Sequence, residues 1–346
     1  MHDRFFKKVS ISVLASLVAL TFLPVKVSAA DWPKQLVFGA PSAGTTNYMI
    51  AVAIGEIIKK YSPIKNVIIQ PLGGPTVWGP MMKKKEVDFA IQSGADTVSL
   101  FLGTGAFSQI GPTPVRTAIG GHDFPLIFHT IAEKKIKTVA DLKGKVVYTS
   151  MMGQPMFLQI AEAQLASVNL TLKDLKASMV MPSVAQATSD LIEGRVDAFI
   201  YPVVPSKVQE INKSKGECLF VNLTKEQAEK VEKNNPGYFK DIIPKGRYAN
   251  MQEMNWAVCF QTCLHVRESL DSEVVYQLVK VILEHQDEWS GTHPQAKQWG
   301  LDKKPVTVAA EPYHEGAIKF YREKGLWTEK TQEHGDSLLM KLGKKQ

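Results

Sequence analysis

The stretch Leu36-Val-Phe-Gly-Ala-Pro-Ser-Ala-Gly-Thr-Thr-Asn-Tyr48, with the apolar run to Ile58 behind it, decides how the chain folds. Leu36, Val37 and Phe38 read as a short buried strand. Gly39 to Gly44 is small and flexible, so the backbone can turn sharply there and come close to a ligand. Thr45, Thr46 and Asn47 are residue types that cap helices. Ile50, Ile54, Ile57 and Ile58 then recur at i, i+4, i+7 and i+8, which is one apolar helix face. A strand, a loop and a helix in that order leave unpaired N–H groups and the positive helix end at the loop, ready for an anion. An ordinary strand-to-helix turn has the same pattern, so this stretch alone leaves both readings open.

Upstream, Arg4, Lys7 and Lys8 precede an apolar run from Val9 to Val25, and Val27-Ser-Ala29 supplies small residues. That pattern is expected to be a secretory signal over residues 1–30, cleaved after Ala29 or Ala30, with a periplasmic destination; an uncleaved membrane anchor is the alternative, although the apolar run is at the short limit for a span. The remainder, 31–346, is long enough for two domains. Forty-five per cent apolar residues is the content of a globular protein with a real core. The formal charge is +7, but the lysines are scattered in groups such as Lys83-Lys84-Lys85, Lys303-Lys304 and Lys344-Lys345. No basic stripe is interleaved with aromatics, so nucleic acid is not an expected partner. Of the three cysteines, Cys259 and Cys263 on one strand would lie about 13 Å apart, too far for a disulfide. A bridge from Cys218 stays open, and buried free thiols are the default expectation.

From Leu36 onward, strand and helix patterns alternate. Asn66 to Leu72, Val87 to Ser93 and Val115 to Gly121 read as strands. Thr76 is expected to cap a helix from Val77 to Lys85, and Asp96 one from Thr97 to Leu102. Strands separated by helices imply parallel pairing, with ligands beyond the strands' C-terminal ends. The polar strand ends Ser42–Tyr48, Gly73–Trp78 and Gln92–Asp96 would then converge. Pro125 to Ala132 reads as a strand leading elsewhere. After it, Val147-Tyr-Thr-Ser-Met-Met-Gly-Gln-Pro155 repeats the opening logic before a helix from Met156 to Val168. Glu86-Val-Asp-Phe-Ala-Ile91 and Arg195-Val-Asp-Ala-Phe-Ile200 sit at equivalent places, as in two similar lobes. Trp256 to Val266 reads as a strand returning to the first lobe. The expected fold is α/β and two-lobed, of the periplasmic-binding-protein type II kind, with a ligand cleft between the lobes. Lobe 1 would cover 31–124 and 256–346, and lobe 2 would cover 125–255. Crossings near Phe124–His129 and Ala257–Cys263 would form a hinge.

Together these residues resemble the solute receptors of TRAP transporters, in the TAXI branch, from about Leu36 to Trp327. The segments that carry the resemblance are Gly39 to Tyr48, Leu72-Gly-Gly-Pro-Thr-Val-Trp78, Val87 to Gly94, His293-Pro-Gln-Ala296 and the tail Pro312 to Leu326. The resemblance implies capture of a small solute and its delivery to a TRAP integral membrane protein, by a monomer without cofactors. Ser150-Met-Met-Gly-Gln-Pro-Met156 departs from the family's Gly- and Ser-rich second-lobe loop, and Asn47, Pro75 and Trp78 depart from its first-lobe residues. These changes enlarge the apolar share of the pocket and point to an organic anion with an apolar or aromatic body. The expected contacts are Ser42, Thr45, Thr46, Asn47, Tyr48, Gly74, Trp78, Gln92, Ser93, Gly153, Gln154 and Tyr201. Arg116, Arg195 or Arg247 could add a salt bridge, although a surface helix end is the commoner fate of each. The same fold serves ABC-transporter receptors and periplasmic ligand sensors. No metal, nucleotide or nucleophile motif is present, so an enzyme is not expected.

Overall fold

The computed structural model describes residues 31–235, 237–246, 255–301 and 311–343. The expected signal segment, Arg247 and the pairs Lys303-Lys304 and Lys344-Lys345 lie outside the described residues. In chain order the elements begin with β1 (Gln35–Ala40), α1 (Thr46–Tyr61), β2 (Asn66–Pro71), α2 (Pro75–Lys83), β3 (Phe89–Ser93) and α3 (Gly94–Leu102). The long β4 (Val115–Ile131) leads into β5 (Val146–Met151), α4 (Met156–Ser167), β6 (Ala177–Met181), α5 (Val184–Ile192) and β7 (Ala198–Pro202). Then follow α6 (Pro205–Lys215), β8 (Cys218–Phe220), α7 (Lys225–Asn234) and β9 (Phe239–Ile243). The chain returns through β10 (Asn255–Arg267) and ends in α8 (Ser272–Glu284), α9 (Gln286–Trp289), α10 (Glu315–Glu323) and α11 (Glu329–Gly343).

These strands form one sheet in the order β2-β1-β3-β10-β4-β7-β5-β6, with β8 on β4 and β9 on β10. At one end β1 pairs in parallel with β2 and β3, and at the other β5 pairs in parallel with β6 and β7. Antiparallel β4 and β10 join the two halves. Residues 115–124 of β4 pair with β10, and residues 126–131 pair with β7 and β8. The sequence reads two strands here, Val115 to Gly121 and Pro125 to Ala132, whereas one strand, β4, runs straight through. Gly121 is there for room: a Cβ on it would lie 2.2 Å from the Trp299 ring.

Hydrophobic periodicity explains the helices. In α1, Ile50, Ile54, Ile57 and Ile58 are all buried, and each contributes about 1.5–3 kcal/mol by leaving water. Thr45 caps that helix by accepting from the Tyr48 N–H. The repeated Val-Asp motifs do the same job in each half. Asp88 accepts from the N–H of Val37 on β1 at 2.9 Å, and Asp197 accepts from the N–H of Val146 on β5 at 2.8 Å. Each carboxylate is also paired with a cation, Arg267 for Asp88 and Lys134 for Asp197. The motif pins the first strand of each half and so sets where that strand's C-terminal loop emerges. All three cysteines are buried free thiols.

Two buried histidines on β4 stay neutral. His122 Nδ1 accepts from Trp299 Nε1 at 2.9 Å, and burial pushes its pKa down to about 3. His129 stacks on Phe199 at 4.8 Å, and burial takes its pKa down to about 4. An unfolded chain binds protons at both near pH 6.5. The stability they contribute is therefore complete above pH 6.5 and is lost as pH falls toward 4, by about 3 kcal/mol each at the limit. Neither imidazole resonance should titrate between pH 8 and pH 5 in an NMR experiment. A midpoint near 6.5 for either would contradict the assignment.

Candidate functional site

The loop after β1 and the loop after β5 reach one cavity of about 270 Å³ between the halves. Pro41, Gly44, Thr45, Thr46, Asn47 and Met49 line it from β1 and α1. Gln154, Phe157 and Val184 line it from the starts of α4 and α5. Tyr201 to Lys207, between β7 and α6, close a third side, and Phe124 of β4 and Phe260 of β10 form the floor. His293 and Gln295, from the segment after α9, complete the wall. Four helices thus begin at this space, and helix N-termini favour negative charge.

The electrostatics agree with that. Among the described residues no Asp or Glu lines it. Lys207 is the permanent cation there, held to Glu210 at 2.7 Å. His293 is kept neutral, since burial lowers its pKa. Its Nδ1 accepts from the Gln295 N–H at 3.2 Å, which places the ring proton on Nε2, 3.4 Å from Thr46 Oγ1. The opposite wall is aromatic: Phe157 and Tyr201 stack at 5.3 Å and 3°. Burial raises the Tyr201 phenol to about 12, so it is a neutral donor. The cavity therefore has a donor-rich polar end at α1 and an aromatic body.

Of the expected contacts, Thr45, Thr46, Asn47, Gln154 and Tyr201 are brought together on this cavity. Ser42 is exposed on the β1 loop, and its carbonyl accepts from Thr45. Tyr48 lies between the lining residues Asn47 and Met49 but is not itself among them. Gly74 and Gly153 meet at the rim, where Thr76 Oγ1 donates to the Gly153 carbonyl at 3.3 Å and Gln154 Nε2 to the Gly73 carbonyl at 3.4 Å. Three expectations need correction. Trp78 is 1% exposed and packs in the core of the first half, because α2 starts at Pro75 and turns Trp78 and Met82 inward together. Gln92 is buried and spends its amide on Asp96. The Ser93 hydroxyl caps α3 instead of meeting a ligand. Asp96 and Thr76 also change roles: neither caps its own helix, and each bonds across to the other half. Arg116 pairs with Glu268, and Arg195 with Asp190 and Glu193, all away from the cavity.

The sequence reading missed Phe124, Phe157, Phe260, Val184, Lys207, His293 and Gln295. Pro205 could have given Lys207, because proline is favoured at the first position of a helix. The aromatic floor gave no local signal, since Phe124 and Phe260 meet only through strand pairing.

The sequence profile of the NMT1-like family matches residues 38–325, from β1 to the end of α10. The chain belongs to the NMT1-like family. Among curated proteins no sequence matches it. Among solved structures this NMT1-like chain is similar to PhnD1 from Prochlorococcus marinus in complex with methylphosphonate. That match has a TM-score of 0.56 and 11% identity, covering 85% of this chain and 100% of the other. It is also similar to XAC2383 from Xanthomonas citri bound to ATP, with a TM-score of 0.51 and 11% identity, covering 88% and 99%. The fold of the NMT1-like chain is thus the two-lobed α/β fold of periplasmic binding proteins. No helix among the described residues is long and apolar enough to cross a membrane.

Proposed function

We propose that the protein is an extracytoplasmic solute receptor that captures a small organic anion between its lobes and delivers it to a membrane transporter. The observation that carries this is the cavity itself. Four helix N-termini and a lysine reach it with no carboxylate among the described lining residues, the α1 end supplies hydroxyls, and a Phe157–Tyr201 stack with Phe124 and Phe260 supplies an apolar surface. The anionic end of a ligand would sit at Thr45, Thr46 and Asn47, with its body against the rings. The lobes are 31–124 with 256–346, and 125–255, and β4 and β10 serve as the hinge. Ligand contacts present only in the closed arrangement would drive closure. Export by the leader and action as a monomer in the periplasm follow from the same reading.

For the transporter, the loop and tail motifs support a TRAP-type integral membrane protein. The fold fits an ABC-type partner equally well, and the genes beside this one would separate the two. The ligand class is tested by a thermal-shift screen of aliphatic and aromatic carboxylates, with glutamate and glutamine alongside. Aromatic or branched monocarboxylates should give the largest shifts, and Tyr201→Ala should weaken the best of them at least ten-fold. Tightest binding of glutamate or glutamine would overturn the assignment.

A further inference from the structure

Asp96 is 2% exposed and sits in the first turn of α3, which follows β3 in the first half of the sheet. Its Oδ1 accepts from the N–H of Met156 at 3.0 Å, the first residue of α4 in the other half. That amide needs a partner from outside its own helix. The α4 N-cap is Pro155, which offers no side-chain acceptor, and the first N–H groups of any helix are unpaired. A carboxyl group from one half thus caps a helix of the other. The surrounding packing is tight. Ala95 belongs to the core cluster of the second half, and a Cβ on Gly237 would lie 2.7 Å from Ala95 Cα.

The chemistry around Asp96 favours a proton on it. β3 presents Gln92, which is neutral; α4 presents only the Met156 amide; the segment after α7 presents the Tyr238 phenol, which donates to the Met156 carbonyl at 3.1 Å. Among the described residues no cation faces the carboxyl group; the hydrogen bonds donated by Gln92 and the Met156 N–H favour its charged form, and burial outweighs them, pushing its pKa up to about 7. Gln92 is the other group at the carboxyl. Its Nε2 lies 3.3 Å from Asp96 Oδ2, while its buried Oε1 has no hydrogen-bond partner. Turned over, the amide would let Oε1 accept from a protonated Oδ2.

We propose that Asp96 is a proton-operated clasp between the two halves: protonated and seated on the α4 amide when they are together, ionised when they part, so that closure takes up one proton. This rests on the reading of the chain as a receptor whose lobes open and close. The sign follows from linkage. An exposed aspartate titrates near 4 and the clasped one well above it, so raising the pH through that window favours parting. Between pH 5.5 and 8.5 the balance should move toward the parted form by about ten- to thirty-fold.

The test is amide hydrogen exchange on the full chain without any ligand, corrected for intrinsic base catalysis, with the amides of α8 as an internal reference. Protection at the start of α4, from Met156 to Ile160, should fall by about ten- to thirty-fold between pH 5.5 and 8.5. In Asp96→Asn it should stay constant within about two-fold, because asparagine does not titrate there. Wild-type protection that ignores pH overturns the proposal, whether or not the variant folds. A wild-type decline that Asp96→Asn reproduces overturns it as well. Because no ligand is present, failure to find one would count against the receptor reading and leave this measurement intact.

Discussion

Replacing His265 by alanine should lower the unfolding free energy by about 3–5 kcal/mol, the cost of removing one partner from a buried charge pair. His265 lies on β10, opposite β3, and is fully buried. Its Nε2 is 3.1 Å from the Gln92 carbonyl, which can only accept, so Nε2 bears a proton. Its Nδ1 is 2.5 Å from Glu311 Oε1, so ring and carboxyl share a second proton between them. Burial alone would raise the Glu311 pKa, yet the adjacent imidazole holds it below the usual carboxylate range. Without the ring, Glu311 is a buried charge without its counter-ion, and Trp78 loses the ring stacked on it at 6.3 Å. The double variant His265→Phe with Glu311→Gln should recover part of the loss, since no charge then remains to be desolvated. Urea unfolding of the three proteins measures this, and a loss under about 1 kcal/mol for His265→Ala would refute the paired-charge account.

Gly74→Ala should separate closure from folding. Its φ is 179°, extended backbone that alanine adopts freely. The obstacle is space: a Cβ would lie 2.2 Å from the Gly153 carbonyl oxygen and 2.8 Å from its carbon. The loop of residues 73–76 would have to withdraw from that of residues 151–154, breaking the Thr76–Gly153 and Gln154–Gly73 bonds. Those contacts join the two halves and leave each core untouched. Affinity for the best anion of the carboxylate screen should fall at least ten-fold, about 1.4 kcal/mol, while stability in urea changes by under about 1 kcal/mol. Calorimetry and urea unfolding on the same preparation check both, and undiminished affinity would show that the rim contact plays no part in binding.

Much of this arrangement was legible in the sequence, for definable reasons. The first strand, its loop and α1 are written locally, in three apolar residues, a threonine cap and one isoleucine face. The repeat of Val-Asp was legible as a pattern, and the structure supplies its reason, a carboxylate holding the first strand of each half. What could not be read depends on pairs distant in the chain. Trp78 follows a Gly-Gly-Pro loop that reads as a ligand-facing turn and still points inward, because α2 starts at Pro75. Asp96 looks like a cap for its own helix, and only the arrival of α4, sixty residues on, gives it another amide to hold. Gly121 carries no local sign of its purpose, and only the Trp299 ring shows why a residue without a side chain is needed there.

β4 and β10 pass from one half of the sheet to the other without a break in their hydrogen bonding to some neighbour along most of their length. Such a connection acts as a torsion spring rather than a loose tether. Any swing of the halves has to be absorbed as extra coil in two paired ribbons, spread over many residues, with a restoring force that grows with amplitude. If the halves close on a solute as proposed, such a connection favours small, reversible excursions over wide ones.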